Sequence, residues 1–285
     1  MLKPGDKIAL VACSNGLPLS EKEKLDTLSE RLISCGLVPV WSDHIYQTHS
    51  VFSATAKERA QALMKFYGDA DIKGIFDLSG GDLANGLLEF LDYDFIQKHP
   101  KPFWGYSDLT TVINALYTKT GAVSCLYQLK NLVRDTSGNQ LADFRRTVLE
   151  GYDDLYGIHW QPVQGSQMEG TVIGGNVRCF LKLAGTPYLP EFENKLLFLE
   201  SYGGGAAQMT TYFYQLRQLG AFEKINGLLL GTFTKMEEQQ ETPTAVELAL
   251  QIIDNPRLPV AKTQQVGHQR TSKCLMIGAK YKLVF

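Results

Sequence analysis

Ser107 stands at the point where a short apolar stretch passes directly into a helical pattern. Apolar side chains recur at helical spacing after it, at Val112, Ile113, Leu116 and Tyr117. When a strand turns sharply into a helix, the turn residue is exposed at the carboxyl end of the strand, beside the free N–H groups of the helix. An exposed hydroxyl beside such donors suits a nucleophile, so the spacing predicts nucleophilic catalysis by Ser107.

A purely structural interpretation of the same window stays open. Ser107 or Asp108 would serve equally as the N-cap of the helix, since both residue types favour that position. The window also differs from the Gly-x-Ser-x-Gly pattern of α/β-hydrolases, because Leu109 occupies the position of the second glycine. Other parts of the chain must therefore decide whether Ser107 is a nucleophile.

His268 is the histidine whose position best suits a general base for Ser107. It follows a predicted strand over residues 260–266 and is preceded by Gly267, on a loop of the kind that presents side chains to a cleft. An exposed loop histidine without a function remains the alternative. The other four histidines lie in loops and connectors where solvated residues are expected: His44, His49, His99 and His159.

Glu200 ends the apolar stretch of residues 195–199. A carboxylate at the edge of a buried strand must be paired or catalytic, because burying it alone is costly. Glu200 therefore either orients a base or forms a salt bridge at the strand terminus. The order Ser, Glu, His along the chain matches one known arrangement of catalytic triads, although order alone carries little weight.

Composition and charge exclude several function classes. The chain has 285 residues, 44% of them hydrophobic and 20% charged, with a net charge of −2. Near-neutral charge without a basic block argues against nucleic acid or an anionic membrane as the partner. No apolar run has the length of a membrane span, and the first residues lack a signal-peptide pattern, so we expect a cytoplasmic protein.

The cysteines and histidines show no pattern of metal ligands. The five cysteines are dispersed without a C-x-x-C pair, which favours reduced, buried thiols over disulfides or a zinc site. The five histidines also lack the spacing of metal ligands. We therefore expect no metal and no cofactor.

The first half of the chain alternates between strand and helix patterns. Apolar strands are predicted at residues 8–12 and 37–40, separated by a helix that begins at a capping box of Ser20 and Glu23. This alternation predicts a doubly wound parallel sheet. A third strand, residues 74–78, ends in a glycine turn that either approaches a ligand or only precedes a helix over residues 83–91.

The patterning suggests a division into two units. Residues 1–150 form the predicted N-terminal α/β domain, residues 151–169 a weakly patterned linker, and residues 170–285 the C-terminal domain. The last stretch, residues 274–285, is typical of a closing hairpin. Glu200 and His268 then belong to the second unit, whereas Ser107 belongs to the first.

Several motifs together resemble the S66 peptidases, the LD-carboxypeptidase family that also contains microcin C immunity proteins. They span nearly the whole chain in family order, and jointly they are specific. The motifs are Gly80-Gly81, Leu87-Leu88, Leu91-Asp92-Tyr93, Gly105-Tyr106-Ser107-Asp108-Leu109-Thr110, Tyr117-x-Lys119-Thr120-Gly121, Gly174-Gly175-Asn176, Leu183-x-Gly185-Thr186-Pro187-Tyr188, Leu197-Phe198-Leu199-Glu200 and Gly267-His268.

The resemblance implies roles for individual residues. Ser107 falls on the family's nucleophile, Glu200 on its acid and His268 on its base. The implied oxyanion hole uses the backbone N–H of Asp108 and one from the glycine turn, at Gly81 or Asp82. The implied fold is an α/β doubly wound N-terminal domain with a smaller C-terminal α/β domain, whose sheet we expect to be barrel-like, and an active site in the cleft between them.

The resemblance also implies an activity. Such enzymes release a C-terminal D-amino acid, typically D-alanine, from muropeptide tetrapeptides in peptidoglycan recycling, without a metal and often as homodimers. The nearest alternative is a hydrolase of peptidyl or aminoacyl nucleotides like the microcin C immunity proteins. A catalytically inactive protein that binds cell-wall peptides is the alternative from another class.

Two segments depart from the family pattern and leave the substrate open. Residues 82–86 replace an aromatic glycine-turn motif, and residues 126–128 stand where a Gly-Pro segment is common. Both are expected to line the substrate cleft. An exopeptidase also needs a group for the substrate carboxylate, with Arg178, Lys130 and Arg134 as candidates. A nucleotide would need a stacking aromatic, for which Trp160, Tyr202 and Tyr127 are candidates.

Overall fold

Two six-stranded sheets organise the chain, and the computed structural model describes all of it, residues 1–285. The strands are β1 (Lys7–Val11), β2 (Val38–Trp41), β3 (Ile72–Asp77), β4 (Phe103–Gly105), β5 (Ser124–Leu126), β6 (Gln161–Gln164), β7 (Gln167–Asn176), β8 (Lys195–Ser201), β9 (Gly227–Phe233), β10 (Val260–Lys262), β11 (Leu275–Ile277) and β12 (Lys280–Val284).

Eleven α-helices connect and cover these strands. They are α1 (Lys22–Ser34), α2 (Ala56–Gly68), α3 (Tyr93–Lys98), α4 (Thr110–Thr120), α5 (Asn131–Arg134), α6 (Asn139–Arg145), α7 (Val177–Leu181), α8 (Ala206–Gln218), α9 (Ala221–Lys224), α10 (Thr234–Glu238) and α11 (Ala245–Ile253). None of them combines the length and the apolar character that a bilayer crossing requires.

The first sheet is doubly wound, as predicted. Its order is β11-β5-β4-β3-β1-β2, and the five strands from β5 to β2 are parallel. The chain builds outward from β1 to β2 on one side and from β3 through β5 on the other. The carboxyl ends of β1, β3 and β4 therefore meet at one edge, where ligands of such sheets bind.

The second sheet is curled and open, in agreement with the expected barrel-like α/β unit. Its order is β12-β7-β8-β9-β10-β6, with four parallel strands in the centre and an antiparallel strand at each edge. The ends of β7 and β8 and the loop after β10 lie at the carboxyl edge of its parallel core. Glu200 and His268 lie on β8 and on this loop.

The two sheets share one apolar core. A cluster of 33 buried residues draws on both, for example Ile75 and Phe103 from the first sheet and Phe198 and Leu229 from the second. Helix α4 adds polar contacts across the same boundary, because the Asn114 carboxamide donates to the Gly174 carbonyl at 2.8 Å and accepts from its N–H at 2.9 Å. The two halves of the site are thus held in one orientation by the core.

Two local predictions about helices are wrong. Ser20 does not cap α1, because residues Leu19–Glu21 form a 3₁₀ turn and α1 begins after Glu21 without a side-chain cap. The segment predicted as a helix over residues 83–91 is a 3₁₀ run, Ala84–Phe90. By contrast, Thr55 caps α2 and Thr244 caps α11, each through a complete capping box.

The predicted closing hairpin over residues 274–285 is also wrong. Strand β11 pairs antiparallel with β5 in the first sheet, whereas β12 pairs antiparallel with β7 in the second. The turn between them, at Gly278, carries the chain from one sheet to the other. The proposed bounds of the two domains stay a prediction, with β6 falling inside the predicted linker and β11 joining the first sheet.

Candidate active site

Ser107 lies on a sharp turn between β4 and α4. Its φ is 58°, a left-handed conformation that a non-glycine residue adopts at a cost of about 1–3 kcal/mol. Residues Ser107–Leu109 form a single 3₁₀ turn, and α4 follows at once. Gly105 makes the close approach possible, because a Cβ there would lie 2.7 Å from the Cβ of Leu109. The predicted strand, turn and helix are therefore present, with the serine at the turn.

His268 reaches Ser107 from the second half of the chain. Its Nε2 lies 3.1 Å from the Ser107 Oγ, and its Nδ1 lies 2.7 Å from the Glu200 Oε2. The imidazole is mostly enclosed, with 15% of its side-chain surface exposed. The structure thus brings together three residues that are distant along the chain, since His268 follows Ser107 by 161 positions and Glu200 by 68.

Glu200 is completely buried near the end of β8. It has no lysine or arginine partner; its contacts are the His268 Nδ1 and the Asn176 Nδ2, which donates to Oε1 at 3.1 Å. Asn176 ends the neighbouring strand β7, and its Oδ1 accepts from the Cys179 N–H as the N-cap of α7. The capping contact holds the carboxamide in place, so Asn176 orients the carboxylate.

The hydrogen bonds assign the protons of this group. A carboxylate only accepts, so the Nδ1 of His268 carries the proton that is donated to Glu200. The Nε2 is then left with a lone pair that accepts from the Ser107 hydroxyl. This is the tautomer in which an imidazole acts as a general base toward a serine.

Two tyrosine rings contact the imidazole of His268. Tyr106 meets it edge-on with ring centroids 4.9 Å apart, and Tyr202 lies 5.0 Å away on a tilted plane. Tyr106 is buried, and this burial, reinforced by the negative charge of Glu200, raises the pKa of its hydroxyl well above the usual value. Both rings restrict the imidazole to the plane that joins Glu200 and Ser107.

The glycine turn after β3 packs beside Ser107. A Cβ placed on Gly80 would lie 3.8 Å from the Ser107 Cβ, so the two backbones are in contact range. Gly81 has a φ of 121°, and a Cβ there would collide with the Asn15 side chain at 2.2 Å. The Asn15 Oδ1 accepts from the Asp82 N–H at 3.0 Å, whereas the N–H groups of Gly81 and Asp108 donate to no other group of the protein.

The Asp108 carboxylate accepts hydrogen bonds from groups in both halves of the chain. It is completely buried and accepts from the Ser14 hydroxyl at 2.6 Å, the Ala84 N–H at 2.8 Å and the Lys182 Nζ at 2.6 Å. Lys182 follows α7 of the second half. Sequence reasoning missed this role, since it considered Asp108 only as a helix N-cap or as a backbone donor of the oxyanion hole, and neither Ser107 nor Asp108 caps α4.

The three cations proposed for a substrate carboxylate have different surroundings. Arg178 binds the Asp82 carboxylate and the Gly81 carbonyl, and its hydrogen bond holds the pKa of Asp82 below the usual value. Arg178 does not line the cavity beside Ser107, whereas Lys130 and Arg134 do. Of the two atypical segments, residues 126–128 contribute Gln128 to this cavity, and residues 82–86 contribute none of its lining.

The three aromatic residues considered for stacking on a nucleotide differ in their exposure. Trp160 is buried against Phe198, and Tyr127 is buried with its hydroxyl donating to Gln140 at 2.8 Å. Tyr202 is 62% exposed and lies beside His268. Only Tyr202 therefore has a face available to a ligand at this site.

The remaining histidines lie away from the site. His49, His99 and His159 are exposed, and His44 is half-buried. His49 stacks on Phe52, and His99 stacks on Phe95. The chain contains no group of three or more His, Cys, Asp or Glu side chains arranged to hold a metal ion.

Comparison with known proteins identifies relatives along almost the whole chain. The family model described as the LD-carboxypeptidase N-terminal domain matches residues 8–128, and the one described as the LD-carboxypeptidase C-terminal domain matches residues 169–283. A probable murein peptide carboxypeptidase of Bacillus subtilis is 27% identical, with 98% of this chain and 89% of the relative covered.

The microcin C7 self-immunity protein MccF of Escherichia coli is another relative. It is 25% identical, with 100% of this chain and 92% of that protein covered. A solved structure of MccF in complex with aspartyl sulfamoyl adenosine superposes with a TM-score of 0.88 at 24% identity, covering 99% of this chain and 94% of that one. This structural match establishes a common fold.

Proposed function

The chain belongs to the LD-carboxypeptidase family, and we propose that it is a serine peptidase that releases a C-terminal D-amino acid, D-alanine, from muropeptide tetrapeptides in peptidoglycan recycling. One observation carries this proposal: the hydrogen-bonded series from the Glu200 carboxylate through the His268 imidazole to the Ser107 hydroxyl. It supplies a nucleophile, a base and a group that orients the base, which acyl transfer requires. The murein peptide carboxypeptidase among the relatives supports the choice of substrate class.

The proposed mechanism follows from this geometry. His268 Nε2 takes the proton as Ser107 Oγ attacks the carbonyl of the last peptide bond, while Glu200 holds the imidazole and stabilises its positive charge. His268 then gives the proton to the departing amine of the D-amino acid. A water molecule, activated by the same imidazole, hydrolyses the acyl-enzyme. No step requires a metal or a cofactor.

The proposed oxyanion hole consists of the N–H groups of Gly81 and Asp108. Both are free of other partners and flank the turn on which Ser107 lies. The Asp82 N–H, which the resemblance allowed as an alternative, is already bonded to Asn15. One well-placed donor is worth a factor of about 10²–10³ in rate.

The experiment that tests this proposal is digestion of a muropeptide mixture. Purified protein is incubated with tetrapeptides that carry L-lysine or diaminopimelate at the third position, and mass spectrometry follows the loss of D-alanine. We expect release by the wild type and by Ser166→Ala, a control at an exposed serine, and no release by folded Ser107→Ala. An intact tetrapeptide after incubation with the wild type would contradict the proposed substrate.

A second candidate function is hydrolysis of an aminoacyl or peptidyl nucleotide. The exposed ring of Tyr202 beside His268 favours it, because a nucleobase needs an aromatic face to stack on. Aspartyl sulfamoyl adenosine, a ligand of MccF, is a suitable probe. Tight binding of this probe that is lost in Tyr202→Ala, together with an intact tetrapeptide, would favour the second candidate. If the protein leaves both the tetrapeptide and an aminoacyl nucleotide intact, the interpretation as a peptide-binding protein is favoured.

The homodimer and the cytoplasmic location stay predictions. The first is tested by sedimentation of the purified chain and the second by fractionation of cells. Neither affects the geometry from which the proposed mechanism is derived.

A further inference from the structure

A small cavity opens directly beside Ser107, and Glu200 does not contribute to its lining. Its volume is about 140 Å³, well below the roughly 300–1,000 Å³ of pockets that hold a whole small-molecule ligand. It therefore has room for only the end of a peptide. The lining residues that matter here are Ser107, His268, Gln128, Lys130, Asn131 and Arg134.

The cavity carries one positive charge that the protein does not neutralise. Lys130 is 8% exposed and forms a salt bridge with Glu21 at 3.0 Å. Burial lowers the pKa of this lysine, and Glu21 opposes the change. Arg134 forms no salt bridge, and no hydrogen bond involves its guanidinium. The guanidinium is thus available to an anion in the cavity.

The side-chain amides in the cavity also have few hydrogen-bond partners within the protein. Asn131 is 3% exposed, yet no group of the protein bonds its carboxamide. The Gln128 Oε1 accepts from the Lys130 N–H at 3.2 Å, which leaves the Nε2 of Gln128 as a donor. Arg134 is exposed to solvent, whereas the Asn131 side chain is almost buried. A largely buried carboxamide without a protein partner, beside an unpaired guanidinium, fits a ligand that accepts hydrogen bonds.

The position of the cluster restricts what that ligand is. Ser107 and His268 form part of the same small cavity, so the anion lies within a few bonds of the carbonyl that Ser107 attacks. In a peptide, the carboxylate of the last residue is three bonds beyond that carbonyl carbon. A guanidinium matches a planar carboxylate through two parallel hydrogen bonds.

We propose that Arg134, assisted by Asn131, binds the free carboxylate of the C-terminal residue of the substrate. This inference rests on the proposed peptidase function and names the group that makes the enzyme an exopeptidase. The cavity volume fits a small C-terminal residue such as alanine or glycine. Arg178, the other candidate nearby, is bound to Asp82 and does not contribute to the cavity.

The test compares two peptides that differ only at the C-terminus. One ends in D-alanine and the other in D-alanine amide, which lacks the negative charge. We expect Arg134→Gln to lower kcat/KM for the acid by about 10- to 100-fold, the value of a charged hydrogen bond, chiefly through KM. The same variant should leave the slow cleavage of the amide unchanged. Equal losses on both peptides, or no loss on the acid, would overturn the assignment.

Arg145→Gln is the matched control. Arg145 is exposed, pairs with Glu150 and lies on α6, away from the cavity. This variant should cleave both peptides at the wild-type rate. If it loses activity on the acid alone, as Arg134→Gln is expected to do, long-range charge rather than a contact explains the result and the assignment fails.

A binding measurement separates this inference from the proposed function. In folded Ser107→Ala, NMR titration with D-alanine should shift resonances of residues 128–134, and Arg134→Gln should abolish the shift. Titration with D-alanine amide should cause none. This outcome would support the carboxylate site even if no peptide is cleaved. Equal competition by inorganic phosphate, or no shift with D-alanine, would contradict it.

Discussion

Ser107 lies between two groups of polar residues that differ in how completely they are hydrogen-bonded. On one side, Glu200 is fully buried and both of its oxygens are bonded, to His268 and to Asn176. On the other side, Asn131 and Arg134 line a cavity and their side chains bond to nothing in the protein. Glu200 lies near the end of β8 and His268 on the loop after β10, whereas Asn131 and Arg134 lie on α5, the short helix that follows β5.

This difference in hydrogen bonding corresponds to two functions of a site, catalysis and substrate binding. Groups that must be correctly placed before the reaction are fixed by the fold, because reorganising them during catalysis would raise the barrier. Groups that bind the substrate are left without partners, because each must exchange water for the ligand. Hydrogen-bond satisfaction thus distinguishes the proposed catalytic residues from the proposed binding residues within one cleft.

The largest effect on activity is expected from substitution of Glu200, whose two carboxylate oxygens are both hydrogen-bonded. In Glu200→Gln the amide would donate toward Nδ1 of His268 and favour the wrong tautomer. We expect kcat to fall by about 10⁴-fold, as for the corresponding change in other triads. Steady-state kinetics with the tetrapeptide measures it, and the exposed Glu223→Gln is the control. A loss below tenfold would mean that Glu200 has only a structural role.

A smaller effect is expected at Asp108, which holds the glycine turn. Asp108→Ala removes the acceptor of Ser14, Ala84 and Lys182 at once. The substitution leaves the Ser14 hydroxyl and the Ala84 N–H without their acceptor and removes the buried carboxylate partner of Lys182, which keeps only its contacts with Asp82. We therefore expect the free energy of unfolding to fall by about 3–5 kcal/mol. Urea denaturation measures this change.

The exposed ion pair on the same turn provides the contrast to Asp108. Arg178 and Asp82 are 43% and 60% exposed, so Arg178→Gln should cost about 1 kcal/mol or less. If both variants lose the same stability, burial does not distinguish the two contacts. The comparison between satisfied, buried groups and accessible ones would then fail at this turn.

Much of the site was predictable because it depends on local pattern. The change from apolar to helical spacing at Ser107 and the apolar strand that ends at Glu200 both follow from side-chain periodicity. What periodicity left open was whether these residues meet. The motifs shared with the S66 peptidases predicted that they do, and the structure places the three side chains within hydrogen-bond distance.

The remaining features depend on contacts between distant parts of the chain. Residues 274–285 have the local pattern of a hairpin, yet β11 and β12 pair with strands of different sheets. Asn176 has the pattern of an ordinary helix N-cap, and its contact with Glu200 arises only because β7 and β8 are neighbours. Asn15 reaches Asp82 across 67 positions. No local pattern specifies such pairings.

The most direct test of the account is covalent labelling of the protein with a fluorophosphonate, which reacts with activated serines. Peptide mass spectrometry should find one adduct, on Ser107, and its rate of formation should fall sharply in Glu200→Gln. The absence of an adduct on Ser107, or an equal rate in that variant, would contradict the claim that Glu200 and His268 activate this serine.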